Sequence, residues 1–159
     1  MLSYLLSRRT VIIAADTASR LSLSSCGHWL SFRTSTSKSG KPLTDSDSVV
    51  SYEQLKNMLS RRNIQLFDVR NPDEYLAGRI PDSVNIPLGD LEESLKLSPE
   101  HFKQTFEVPA PLKDADNIVF HCKSGNRSGK ALDIAYNLGF TRARHYKGGY
   151  SEWVEREDK

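Results

Sequence analysis

Seven consecutive residues set a cysteine, two cations and a glycine side by side: Cys122, Lys123, Ser124, Gly125, Asn126, Arg127 and Ser128. A thiol is nucleophilic as its thiolate, and nearby positive charge favours that form. Lys123 and Arg127 supply full charges. A short loop closing into a helix would add inward-facing backbone N–H groups and the positive end of the helix dipole. Gly125 allows the positive φ that such a loop demands. A free cysteine is often a small buried hydrophobe, but that role calls for neither the glycine nor the two cations. The stretch reads as an activated cysteine facing an anionic substrate.

The flanking residues supply the elements that must hold it. Ile118-Val119-Phe120-His121 is a short run rich in β-branched and aromatic residues and predicts a strand. Ala131, Ile134, Ala135 and Leu138 fall at helical spacing, with Gly139 placed to stop the helix. Cys122 is then the first loop residue after a strand. Elsewhere, Val49-Val50 predicts a short edge strand, and Ser51 with Gln54 a capping box for a helix faced by Leu55, Met58 and Leu59. Ile64 to Val69 reads as a strand, and Asn71-Pro72 opens a short helix that Gly78 ends. Ser83 to Ile86 is a strand, Gly89 to Leu95 a helical turn, and Ser98-Pro99-Glu100 the start of a helix with Phe102 and Phe106 on one side. A loop with Pro109 and Pro111 follows. Arg144 to Tyr146 is a last strand, Gly148-Gly149 a turn, and Tyr150, Trp153 and Val154 the face of a closing helix. This alternation predicts an α/β fold, a mainly parallel sheet of about five strands with helices on both faces. Ligands of such sheets bind beyond the carboxyl ends of the strands, where Cys122 and Asp68 both fall.

The formal charge of +2 over 159 residues hides an asymmetry. Residues 1–40 hold Arg8, Arg9, Arg20, Arg33 and Lys38 against Asp16 alone, which is +4 and leaves −2 for the rest. A nearly neutral globular part carries no electrostatic footprint for nucleic acid. The basic, Ser- and Thr-rich segment 1–40 has the composition of a mitochondrial transit peptide, with Leu2, Leu5 and Leu6 on one helical face. The alternatives are an export signal around Arg8-Arg9, for which Val11 to Ala15 is a short apolar run broken by Asp16, and a plain tail on a cytoplasmic protein. Residues 41–48 read as a linker and 49–157 as the folded domain. The second cysteine, Cys26, lies in the extension, so no disulfide framework is implied. No stretch is long and apolar enough to span a membrane, and no histidine has metal-ligand spacing to a cysteine.

Cys-Lys-Ser-Gly-Asn-Arg-Ser resembles the active-site loop of rhodanese-type sulfurtransferases, many of whose single-domain members have Cys-x-x-Gly-x-Arg. Phe67-Asp68-Val69-Arg70, Glu74-Tyr75, Gly78-Arg79-Ile80-Pro81, Val84-Asn85-Ile86-Pro87 and Gly148-Gly149-Tyr150-Ser151-Glu152-Trp153 also resemble segments of that family, in its order. The likeness runs from about Val49 to Glu157 and is greatest to the small single-domain rhodaneses, including the mitochondrial animal type. It implies a thiosulfate sulfurtransferase that carries a sulfane sulfur as a persulfide on Cys122 and needs no cofactor. The donor would be thiosulfate or a low-molecular-weight persulfide, and the acceptor cyanide, glutathione or a protein thiol. Lys123 resembles the basic second position of thiosulfate-using loops, and Ser124 the small third position of mercaptopyruvate-using ones.

Around Cys122, residues Lys123 to Ser128 form the expected substrate loop, with Asp68, Arg70 and Glu74 in support. Asp68 either bonds the loop or holds a cation such as Arg70, or else caps the next turn. Glu74 could pair with Arg70 or Arg79, although a solvated surface charge is the favoured reading. Arg127 braces the loop or meets the anion, and Lys123 points to solvent and recruits it. Strand alternation turns His121 away from Cys122, which makes it structural. One rival is a phosphatase or arsenate reductase with a His-Cys-x5-Arg loop. Only four residues separate Cys122 from Arg127, and the smaller cradle suits one sulfur atom better than a tetrahedral oxyanion. A non-enzymatic sulfur-relay or binding module is the other.

Overall fold

A computed structural model describes residues 46–159. The expected address in 1–40, Cys26 and the first part of the linker lie outside them. In chain order the elements are β1 (Val49–Val50), α1 (Tyr52–Ser60), β2 (Gln65–Asp68), α2 (Pro72–Ala77), β3 (Ser83–Asn85), α3 (Leu91–Lys96), α4 (Pro99–Phe106), β4 (Ile118–His121), α5 (Asn126–Asn137), β5 (Arg144–Tyr146) and α6 (Gly149–Glu157). The strands form one sheet in the order β1-β5-β4-β2-β3, and every pairing is parallel. This is the expected α/β architecture, with β1 at an edge and β4 in the centre.

Register decides which side chains share a face. Phe67 pairs with Phe120, and Phe120 with His145, so these three stand on one side of the sheet. Asp68, His121 and Tyr146 pair in the next row and stand on the other. On the first side Phe67, Phe120 and Cys122 pack with Leu91 of α3, Phe102 of α4 and Ala131, Leu132 and Ala135 of α5. On the second, Leu66, Val119 and Tyr146 pack with Leu55 of α1 and Trp153 of α6. Phe67, Phe102 and Phe120 are almost wholly buried, each contributing on the order of 2–3 kcal/mol by removal from water. Two closed faces fix the tilt of every strand, so the carboxyl ends of β2 and β4 are rigid mounts.

The helix ends follow local chemistry. The capping box of α1 closes with Ser51 Oγ accepting from the Gln54 N–H at 3.3 Å and Gln54 Oε1 accepting from the Ser51 N–H at 2.9 Å. Ser98 caps α4 through the His101 N–H. α5 stops at Asn137, and Gly139 follows in the left-handed region. Two expected boundaries shift. The turn anticipated at Gly89–Leu95 is the helix Leu91–Lys96, because Pro87 to Asp90 first closes a turn of its own through the Asp90 N–H to the Pro87 carbonyl at 2.9 Å. The closing helix begins at Gly149 itself, a placement with consequences for the site. Among the described residues no helix is long and apolar enough to cross a membrane.

Candidate active site

Cys122 follows directly on β4, and α5 begins at Asn126, so residues 122–125 are the whole turn between strand and helix. A turn this tight needs a positive φ, which Gly125 takes at 91°. A Cβ there would also lie 2.3 Å from the Lys147 carbonyl oxygen, so only glycine fits. The turn folds back on its own sulfur. The Gly125 N–H donates to Cys122 Sγ at 3.1 Å, and the Ser128 hydroxyl lies 3.8 Å from it.

These contacts set the charge state. Burial pushes the Cys122 thiol up, but the N–H groups of Ser128, Ser124 and Gly125 together with the Ser128 hydroxyl outweigh it, and the net direction is below the ordinary thiol value. The residue is 1 % exposed, so the sulfur lies at the bottom of a cradle of donors rather than on the surface.

Something must turn those N–H groups inward, and it is α6. Its first turn takes the outward-facing carbonyls of the loop: the Tyr150 N–H donates to the Cys122 carbonyl at 2.8 Å and the Ser151 N–H to the Lys123 carbonyl at 3.1 Å. With the carbonyls held on one side, the following amides face the sulfur. Gly149 makes the approach possible. It has φ 65°, and a Cβ on it would lie 2.6 Å from both of those carbonyl oxygens. The sequence offered one signal for this, a glycine doublet at the start of a helical pattern, which reads more simply as a turn.

The supporting residues gather on the β2 side. Asp68 is fully buried and holds Arg70 in two ways, accepting its backbone N–H at 3.0 Å and its guanidinium through Nε at 2.9 Å and Nη2 at 2.6 Å. It therefore both caps the turn and holds the cation. Arg70 Nη2 also donates to the Gly78 carbonyl at 2.7 Å, and its guanidinium lies 4.3 Å from the Tyr150 ring centre. Glu74 corrects the sequence reading. It is neither a solvated charge nor paired with Arg70 or Arg79. Its carboxylate takes both Nη atoms of Arg127, at 2.5 and 2.8 Å, and accepts the Asn71 N–H at 3.2 Å. The Arg127 guanidinium holds Glu74 at about 2, well below the usual carboxylate range, against a smaller opposing effect of burial. Of the two roles expected for Arg127, the geometry carries the bracing one: it ties the first turn of α5 to α2. Lys123 is exposed, as are Ser124 and Asn126.

His121 stands where alternation put it, on the face opposite Cys122. It is fully buried, its Nε2 lies 3.6 Å from Asp68 Oδ2, and neither ring nitrogen completes a hydrogen bond. Burial lowers its pKa to about 4, so the ring is neutral and structural. Beside the loop a hollow of about 220 Å³ is lined by Arg70, Glu74, Ala77, Gly78, Lys123 and Tyr150. A larger one of about 320 Å³ lies by Val49, Asp116 and Arg144, at the strands' amino ends, and is lined by no residue of the cysteine loop. The smaller hollow is therefore the candidate entrance. Arg70 is paired with Asp68 and Glu74 with Arg127, so the exposed Lys123 gives it the charge to receive an anion.

Known proteins resemble this chain in sequence and fold. The mouse thiosulfate sulfurtransferase/rhodanese-like domain-containing protein 3 is 47% identical over 109 residues, which is 68% of this chain and 69% of that one. Human thiosulfate:glutathione sulfurtransferase is 39% identical over 108 residues, 68% of this chain and 94% of its own. A Saccharomyces cerevisiae relative named thiosulfate sulfurtransferase RDL2, mitochondrial, is 28% identical over 115 residues, 71% of this chain and 76% of its own. The solved human single-domain sulfurtransferase TSTD1 superposes with a TM-score of 0.66 at 38% identity, covering 69% of this chain and 96% of that one. The model of the rhodanese-like domain matches residues 51–156, a span that runs from the cap of α1 through α6 and takes in the whole cysteine cradle. By that match and by its five-stranded parallel sheet, the chain belongs to the rhodanese-like domain family.

Proposed function

We propose that this protein is a sulfurtransferase of the thiosulfate type, working through a persulfide on Cys122. The observation that carries the reading is the sulfur held in a cradle of N–H donors at the carboxyl end of β4, with Gly125 N–H at 3.1 Å. In the first half-reaction the Cys122 thiolate attacks the outer sulfur of thiosulfate. The bond from that sulfur to the sulfite sulfur breaks, and sulfite leaves with the electron pair. The product, Cys122–S–S⁻, carries its charge one atom further out, where the same N–H groups can meet it. In the second, an acceptor thiolate or cyanide attacks the outer sulfur and Cys122 leaves as thiolate. The activated thiolate needs no general base.

Lys123 recruits the anionic donor, Arg127 and Glu74 fix the loop, and Asp68 holds Arg70 at the entrance. The names of the relatives support thiosulfate as donor and a small thiol such as glutathione as acceptor. A phosphatase would need Arg127 for its oxyanion, but Glu74 occupies both Nη atoms here. The basic composition of residues 1–40 and the mitochondrial name of one relative support a mitochondrial address for the chain.

Intact-protein mass spectrometry tests the central step. Incubation with thiosulfate should add one sulfur atom, cyanide should remove it, and Cys122→Ser should never gain it. A sulfur adduct that persists in Cys122→Ser would overturn the assignment of the carrier. No adduct from thiosulfate or glutathione persulfide, with hydrolysis of an aryl phosphate instead, would overturn the sulfurtransferase reading.

A further inference from the structure

The Ser128 hydroxyl sits at a junction that the family comparison does not account for. It has one proton to donate and three neighbours: the Gly125 carbonyl at 3.0 Å, Nδ1 of His145 at 3.2 Å and Sγ of Cys122 at 3.8 Å. Ser128 and Cys122 are both buried. A carbonyl and a thiolate can only accept. The imidazole alone can be either donor or acceptor, so it decides where the serine proton points. If Nδ1 accepts, the proton turns towards the ring and the sulfur loses a donor. If Nδ1 carries hydrogen and donates to Oγ, the proton is free for the inner acceptors, the sulfur among them.

Register brings His145 to this place. It pairs with Phe120, which puts its side chain on the α5 side of the sheet, level with the first turn of that helix. Its own N–H is bound to the Ser48 carbonyl of the edge at 2.8 Å, which fixes the backbone beneath the ring. The charged groups around it are Lys147 on its own strand end and Asp133 on α5. Its strand neighbours Val49 and Phe120 carry none. Burial, then Lys147, lower its pKa, while Asp133 opposes them. A neutral ring must hold its single proton on one nitrogen or the other, so the tautomer is a real choice.

We propose that His145 is a positioning residue for the sulfur of Cys122, acting through the Ser128 hydroxyl. Nδ1–H donates to Ser128 Oγ, which leaves the Ser128 proton to the Gly125 carbonyl at 3.0 Å and the thiolate at 3.8 Å, and the cradle gains a donor whose direction is set from outside the loop. The proposal rests on Cys122 being the reactive thiolate, not on the identity of donor or acceptor.

The test is the pH profile of Cys122 alkylation by iodoacetamide, in the full chain with Cys26→Ser. It requires no sulfur transfer, so it stays readable if the sulfurtransferase reading fails. His145→Phe keeps a ring but removes the donor, and should move the midpoint up by about half to one pH unit, the effect of one hydrogen bond to the charged form. Ser128→Ala should move it at least as far, and His145→Phe should add nothing in that background. His145→Asn, whose amide nitrogen can replace Nδ1–H, should restore the midpoint. An unshifted profile in His145→Phe, an equal further shift in the Ser128→Ala background, or a profile in His145→Asn as displaced as in His145→Phe would each overturn it.

Discussion

At the scale of the residue, the site is a problem of holding negative charge on one sulfur without losing it to solvent. Backbone N–H groups solve it because they are fixed and carry no entropy of their own to lose. Side-chain cations would be a looser solution, and the structure uses the loop's arginine, Arg127, for another purpose. Its pairing with Glu74 predicts how variants will behave. Glu74→Gln should lower kcat by several-fold and destabilise the fold by about 1 kcal/mol, since the pair is partly open to water. Arg127→Ala should do the same, and the double variant little more. Urea titrations and thiosulfate kinetics would measure both. If Arg127 instead met the substrate, Glu74→Gln would free it and lower KM. The carboxylate makes its contribution above pH 4.5 and loses it as pH falls towards about 2. The cysteine, its glycine and its cations were legible in the sequence because they are contiguous. The Glu74–Arg127 pair joins residues 53 apart, and no local pattern announces it. His145 escaped for a similar reason. As a strand residue it shows only alternation, and its partner lies on a different element.

Elements were legible where a period or a cap spoke for them. The strand before Cys122, the helix after it and the capping box at Ser51 all follow from a few adjacent side chains. What periodicity cannot express is one element serving another's backbone, and α6 does this for the loop. The Tyr150 and Ser151 N–H groups of its first turn take the carbonyls of Cys122 and Lys123, partners that a helix start always needs. Gly149→Ala should therefore be harmful far beyond its size. A methyl group 2.6 Å from two carbonyl oxygens, on a residue with φ 65°, should destabilise by about 2 kcal/mol or more. It should also raise the midpoint of Cys122 alkylation, because the amides would no longer converge. A stable, fully active Gly149→Ala would mean that α6 only covers the sheet.

At the scale of the molecule, two closed faces bury ionisable groups, and acid should find them. Unfolded, His121 takes up a proton near pH 6.5; folded, near 4. Between those values the unfolded chain binds more protons, so stability should fall as pH is lowered from above 6.5 to about 4, by on the order of 3 kcal/mol from this residue. His145, lowered in the same direction, adds to the loss. Urea midpoints between pH 7 and 4 would show the slope, and a flat profile would mean that His121 is already charged in the fold. The first forty residues should carry a fused reporter into mitochondria, and a diffuse cytosolic signal would refute that address. The bond between loop and closing helix also sets a timetable. A ribosome releases Gly149, Tyr150 and Ser151 after the rest of the sheet, and a chain threaded through a membrane would refold in the same dependence on them. Until those three residues dock, Cys122 is an ordinary thiol with its amides unaligned. The lowered thiol pKa is thus a property of the folded domain, closing helix included, and not of the seven-residue loop alone.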